Sequence, residues 1–168
     1  MITWIRTTRE LALENIRPEM TAAIQEHFDT YNLGPILKDY SICIETAANQ
    51  QKKGLFGGGG VGGIKIPKSN VQVSILTPTW LVHCVQQEGQ NYAAAVSIPL
   101  ESATVEDYRN TPDYNMIKDC GVYITGIFTG KVGLQGNTLT RYFIGLGEEA
   151  AANEFKEFLF KFIQKTRK

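Results

Sequence analysis

The sequence predicts an α+β fold in which a seven-stranded, strongly bent antiparallel sheet forms a partly open barrel. A C-terminal amphipathic helix caps the barrel, and two helices precede it. Three observations predict this fold: apolar stripes with helical spacing at the start of the chain, short runs rich in β-branched and aromatic residues in the middle, and another helical stripe at the end. A length of 168 residues fits one domain that buries a sizeable core.

The first 36 residues predict two packed helices. Thr7 and Glu10 have the spacing of a capping box, which indicates the start of the first helix. Pro18 is suited to the first turn of the second helix, and Gly34 followed by Pro35 ends it. We therefore expect a helical extension over residues 1–36, packed on a domain that spans residues 37–168.

The middle of the chain predicts the sheet. Its apolar runs are separated by turn residues, and the connections at residues 77–79 and 87–91 have the length of hairpin turns. Neither of these connections, nor the longer turn at residues 131–137, is long enough for a helical crossover, so we expect antiparallel pairing. The predicted strands cover residues 40–46, 71–76, 80–86, 92–98, 104–108, 122–128 and 139–144.

The last helix is predicted from residues 148–163. Its first turn is acidic and its end is basic, as the helix dipole favours. Apolar side chains recur every three or four residues and predict a single buried face. These side chains are Phe155, Phe158, Leu159, Phe162 and Ile163.

This order of elements resembles the pleckstrin-homology-like superfold. The matching segments are the hairpin run from Val71 to Val82, the strand from Val105 to Tyr108 and the strand from Thr140 to Gly145 that leads into the last helix. The resemblance covers residues 38–166 and implies two near-orthogonal sheets with the helix at one open end. The N-terminal helices depart from the standard fold. The loop between the first two strands also lacks the complete basic motif of lipid-binding members, and a fold alone does not imply lipid binding.

A glycine-rich loop over residues 52–68 is the most unusual segment. Its glycines match a dinucleotide fingerprint formally, but the extended, proline-terminated segment that follows is not a helix, and no phosphate-loop lysine follows either. Glycines flanked by lysines suit an anion or an anionic membrane, into which apolar side chains of the loop would insert. The alternative is a solvated hairpin tip. The predicted ligand-binding residues are Lys52, Lys53, Lys65 and Lys68, and the predicted membrane contacts are Leu55 and Phe56.

Composition argues against several other functions. Zero net charge removes the bulk attraction to nucleic acids, so we expect no nucleic-acid partner. Cys43, Cys84 and Cys120 lack metal or redox spacing and are interpreted as small apolar side chains, and two isolated histidines do not suggest a metal site. We expect no metal and no cofactor. Without a signal peptide or an apolar stretch of membrane-spanning length, a cytoplasmic protein is expected.

The leading functional prediction is a non-catalytic interaction module that binds another protein or its own copies. The candidate surfaces are the sheet, the N-terminal helices, and a tyrosine-rich segment from Glu101 to Asp119 in which acidic residues outnumber basic ones. The first alternative is weak binding of anionic lipid or phosphate by the glycine-rich loop over residues 52–68, which we call the lysine loop. The second is an enzyme whose site forms only in three dimensions, with His83 facing a carboxylate or a thiol in a pocket.

Overall fold

The computed structural model of the protein describes residues 2–52, 60–61, 64–65, 69–130 and 139–166. Single-turn 3-10 helices lie at residues 13–15, 100–102, 108–110 and 112–115. The strands and longer helices are β1 (Ile2–Glu10), α1 (Pro18–Tyr31), β2 (Ile42–Lys52), β3 (Gly60–Val61), β4 (Ile64–Lys65), β5 (Ser69–Leu76), β6 (Trp80–Gln87), β7 (Ala94–Pro99), β8 (Thr104–Asp107), β9 (Gly121–Ile127), β10 (Leu139–Gly145) and α2 (Ala150–Thr166).

The fold is α+β, with antiparallel sheets and a C-terminal helix. One sheet has the strand order β1-β2-β5-β6-β7, a second has the order β10-β9-β8, and β3 pairs with β4. Neighbouring strands pair antiparallel throughout these sheets. A strand lies at each of the seven predicted positions, as β2 and β5 to β10, whereas β1, β3 and β4 were not predicted.

The predicted first helix is wrong, because residues 2–10 form β1. This strand pairs with β2 along its whole length, from Ile2 opposite Lys52 to Glu10 opposite Ile44. Thr7 and Glu10 therefore belong to a β-ladder and not to a capping box. The backbone hydrogen bonds of β2 override a weak local helix signal. The predicted domain boundary at residue 36 lies between β1 and β2 in the chain, and these two strands pair with each other.

Helix α1 confirms the second predicted helix and covers the outer face of the five-stranded sheet. Pro18 occupies its first turn, and Asn32 ends it in the left-handed conformation with φ of 52°. Its buried side chains Met20 and Ile24 belong to an apolar cluster formed with Cys43, Val73, Ile75, Val82 and Cys84 of the sheet. The strands of this sheet are therefore covered on their outer side as well as their inner side.

The main core lies between the inner faces of the two sheets and α2. Successive residues of a strand face opposite sides, so Ile42 and Ile44 enter this core whereas Cys43 packs under α1. The predicted stripe of α2 is buried at Phe155, Leu159, Phe162 and Ile163, and Phe158 packs at its margin. Within the described residues, no helix is both long and apolar enough to cross a membrane.

The margins of the two larger sheets meet at two single bridges. One is parallel and joins Thr3 to Lys118, and the other is antiparallel and joins Ser97 to Thr129. Among the described strands, the hydrogen-bonded ladder does not continue from one sheet into the other, so no closed barrel forms.

Candidate functional site

The residues predicted to bind an anion or a membrane fall in the lysine loop. The backbones of Lys52 and Lys65 end β2 and β4, and their side chains lie outside what the structure describes. Lys53, Leu55, Phe56 and Lys68 lie outside the described residues altogether. The anion-binding hypothesis therefore stays a prediction.

An aromatic cluster lies on the outer face of the three-stranded sheet. Alternation along the strands places Tyr123 of β9 and Phe143 of β10 on this face, with ring centroids 5.5 Å apart. The ring of Tyr108 packs 5.4 Å from Tyr123 and 4.9 Å from Phe143. Tyr108 is buried, and its hydroxyl donates a 3.0 Å hydrogen bond to the Ile117 carbonyl. The cluster therefore anchors the irregular segment after β8 to the sheet.

Arg141 organises the charges beside this cluster. Its guanidinium lies 3.8 Å from the centroid of the Tyr123 ring, and it contacts Glu106 at 3.0 Å and Asp113 at 3.4 Å. The Tyr123 hydroxyl donates a 2.9 Å hydrogen bond to Asp113. Burial, followed by this contact with Asp113, raises the pKa of Tyr123 to about 12, so its hydroxyl stays a donor at neutral pH. We call the outer surface formed by Glu106, Tyr123, Ile127, Leu139, Arg141 and Phe143 the tyrosine face.

The acidic excess predicted between Glu101 and Asp119 is largely neutralised within the fold. Glu106 and Asp113 pair with Arg141, Asp107 pairs with Lys156, and Asp119 pairs with Arg6. Cations from β1, β10 and α2 thus meet the acids of this segment. The tyrosine face presents mixed charges rather than a single acidic field.

One end of the tyrosine face is apolar and exposed. Ile127 and Leu139 are opposite each other on β9 and β10, and they are 48% and 74% exposed. An exposed pair of large aliphatic side chains beside an aromatic and arginine cluster has the composition of a protein interface. The sequence interpretation noted the tyrosines but missed Arg141 and this aliphatic pair. These residues alternate with inward-facing residues along β9 and β10, and that alternation was the sequence signal that could have placed them on the outer face.

Strand β10 also presents an edge. The Leu146 amide donates to the Cys120 carbonyl in continuation of the β9 ladder, whereas the Gly145 amide donates to the Gln72 side chain on the other side. Because successive residues of an antiparallel strand direct their backbone groups to alternate sides, Phe143 and Arg141 direct theirs away from β9. Among the described residues, no partner strand lies along that side of β10.

The three cysteines occupy two kinds of environment. Cys43 and Cys84 are buried under α1, and burial is the main cause that raises the pKa of each thiol to about 12, so both stay protonated. Cys120 is half-buried in a small cleft, where its Sγ accepts a 3.2 Å hydrogen bond from Arg109. Arg109 also pairs with Glu148. This grouping joins residues far apart in the chain, and sequence reasoning missed it.

His83 lies in the core and not in a cleft. It is 1% exposed, its Nδ1 is 2.8 Å from Ser74 Oγ, and its ring meets the Tyr142 ring edge-on at 5.5 Å. Burial, with a smaller contribution from the charge of Arg6, lowers the pKa of His83 to about 3. The folded protein therefore holds this imidazole neutral and away from solvent.

This burial predicts a pH-dependent loss of stability. An unfolded histidine takes up a proton near pH 6.5, whereas folded His83 does so only near pH 3. Between pH 6.5 and pH 3 a proton therefore binds the unfolded state and not the folded state, which lowers the free energy of unfolding. The contribution of neutral His83 to stability is complete above pH 6.5 and is lost as the pH falls toward 3. Between pH 7 and pH 5 we expect this residue to account for a loss of about 2 kcal/mol in unfolding free energy.

Urea unfolding of the wild type and His83→Gln at several pH values measures this loss. The variant is expected to show the smaller decrease in unfolding free energy between pH 7 and pH 5, whatever its stability at pH 7. Equal decreases in the two proteins would contradict the prediction.

The described residues contain no group of three or more His, Cys, Asp or Glu side chains placed to hold a metal ion. No protein-family model, curated protein or solved structure matches this chain. The function must therefore be argued from the surfaces themselves.

Proposed function

We propose that this chain is a non-catalytic interaction module that binds a second copy of itself through the tyrosine face. The observation that carries the proposal is the exposed pair of Ile127 and Leu139, placed next to Arg141 on a sheet face. Tyrosine, arginine and large apolar residues are the types that dominate binding energy in protein interfaces.

Charge favours a second copy as the partner. Arg141 lies between Glu106 and Asp113, so each copy offers a cation and two carboxylates on one surface. In a two-fold interface the same surface meets itself, and such a surface allows the guanidinium of one copy to reach a carboxylate of the other. An exclusively acidic or basic face would repel its own copy.

The edge of β10 supports the same partner. The outward backbone groups of Arg141 and Phe143 suit pairing with an antiparallel strand, and a second β10 supplies one. Edge pairing would place the two tyrosine faces side by side in one continuous sheet, so it is a different geometry of self-association from face-to-face packing of that surface.

For the fold, we propose a pleckstrin-homology-like domain built from β2, β5 to β10 and α2, with the seven strands as a partly open barrel. The support is the order of the elements, the core between two antiparallel sheets, and the packing of α2 against that core. On this proposal β1 and α1 are additions. Strand β1 extends the sheet beyond β2, and α1 covers its outer face.

Sedimentation of the purified protein over a concentration series tests self-association. We expect a reversible monomer–dimer equilibrium. The dissociation constant of the dimer should rise at least about tenfold in Ile127→Asp and in Leu139→Asp, because each change puts a charge at a position that the proposed dimer interface buries. Arg141→Glu should weaken the dimer as well, by placing a third carboxylate beside Glu106 and Asp113.

Ile5→Asp is the matched control. Ile5 is 46% exposed, close to the 48% of Ile127, but it lies on β1 in the other sheet. The control should dimerise like the wild type. A protein that stays monomeric over the whole series, or an equal loss in Ile5→Asp and Ile127→Asp, would refute the proposal.

A further inference from the structure

A second candidate surface is a groove between α1 and the start of β7. The groove is open to solvent and has a volume of about 370 Å³, which lies within the range of small-molecule sites. Its lining includes the small-residue segment Ala93 to Ala95, Tyr31 of α1 and Tyr92 before β7. We call it the α1–β7 groove.

Two exposed tyrosines line the groove beside a buried histidine. Tyr31 and Tyr92 are 40% and 65% exposed. His27, one helical turn before Tyr31, is buried, with its ring centroid 4.9 Å from that of Tyr31 and its Nε2 2.9 Å from Ser97 Oγ. The bond to Ser97 ties α1 to β7, so both elements hold this histidine in place.

Gly130 also lines the groove. Its φ of +113° is rarely adopted by other residues, and a Cβ there would lie 3.0 Å from the Ala95 carbonyl oxygen and 3.1 Å from His27 Cε1. A glycine thus lets the chain after β9 pass close to Ala95 and His27.

Among the described residues that line the groove, the one formal charge at neutral pH is negative. Glu26 lines it and is exposed, and none of the ion pairs among the described residues uses its carboxylate. Burial lowers the pKa of His27, so at neutral pH the imidazole adds no positive charge to the groove. The groove therefore combines two aromatic rings with one carboxylate.

We propose that the α1–β7 groove binds a small organic ammonium ion against the rings of Tyr31 and Tyr92, with the Glu26 carboxylate as the counter-charge. The faces of aromatic rings attract cations, and quaternary ammonium groups are bound in this way because they are apolar at the surface yet charged. An anionic ligand would be repelled by Glu26. This site is separate from the tyrosine face, and either proposal can fail without the other.

Choline and its uncharged isostere 3,3-dimethylbutan-1-ol are the probes. Titrations followed by the backbone amide signals of Ala93 to Ala95 in nuclear magnetic resonance spectra are expected to saturate with choline at millimolar concentration and to show no saturation with the alcohol. Equal responses to the two probes would show a merely apolar groove and overturn the proposal, as would no response to choline.

Variants test the contributions of the Tyr92 ring and of the Glu26 charge to choline binding separately. Tyr92→Ala should weaken choline binding about five- to tenfold, whereas Tyr92→Phe keeps the ring and should bind like the wild type. Glu26→Gln should weaken binding and remove its dependence on salt. Tyr40→Ala removes a tyrosine that is 39% exposed outside the groove, and its binding should be unchanged. Wild-type binding by Tyr92→Ala would also overturn the proposal.

Discussion

Replacement of Arg6 with methionine is expected to lower the free energy of unfolding by about 3–5 kcal/mol, because it leaves the carboxylate of Asp119 buried without its cation. Arg6 Nε and Nη2 donate hydrogen bonds of 2.6 and 2.8 Å to the two carboxylate oxygens of Asp119. The side chains of this pair are only 6% and 5% exposed. For a chain of this length such a loss corresponds to a fall of about 10 °C or more in Tm.

Two aromatic rings and a glycine surround the Arg6 guanidinium. Its carbon lies 5.4 Å from the centroid of the Trp4 ring and 5.2 Å from that of Phe143. A Cβ at Gly145 would overlap the guanidinium, so a larger residue there would force the Arg6 side chain to move. We therefore expect Gly145→Ala to destabilise the wild type more than it destabilises Arg6→Met.

Chemical unfolding of the wild type and four variants tests this pair. Arg6→Met and Asp119→Leu should each be strongly destabilised, and the double variant should be more stable than either, because two apolar side chains leave no unpaired charge. Arg109→Met is the control, since Arg109 and Glu148 form an ion pair that is 48% and 74% exposed and should contribute no more than about 1 kcal/mol. A loss in Arg6→Met no larger than in the control would contradict the expectation.

The contrast between β1 and α2 shows which parts of this fold were open to prediction. The stripe of α2 repeats within one helix, so its buried residues Phe155, Leu159 and Phe162 follow from local spacing. Strand β1 is specified by β2, from which it is separated by α1 in the chain. Ile2 to Thr8 contains the β-branched and aromatic residues of a strand, but a capping-box spacing at Thr7 and Glu10 competed with that signal.

The candidate sites were less predictable because they assemble across the chain. Arg6 and Asp119 are 113 positions apart, and Arg141 and Glu106 are 35 apart, so neither pair has a sequence signature. The α1–β7 groove likewise combines a helix with the start of a strand. Composition singled out the lysine loop because its unusual residues are consecutive. Composition does not indicate which distant side chains meet.

Replacement of Phe155 with alanine is the second large effect expected, at about 3–5 kcal/mol in unfolding free energy. Phe155 has no exposed surface and packs in the main core between the sheets and α2. Its removal leaves a cavity that neighbouring residues on two sheets would have to fill together, and close-packed interiors relax only partly. Urea unfolding should show a lower midpoint with an unchanged slope.

Phe160 provides a control of the same residue type on the same helix. It lies off the apolar stripe and is only partly buried at the margin of the core, so Phe160→Ala removes the same atoms from a site that keeps part of its contact with water. A smaller loss is therefore expected than in Phe155→Ala. If Phe155→Ala and Phe160→Ala lost equal unfolding free energy, α2 would have to be rotated about its axis relative to the core. In that case the burial of Leu159 and Ile163 on the same stripe would have to be reassigned as well, because all of these residues are fixed to one helical face.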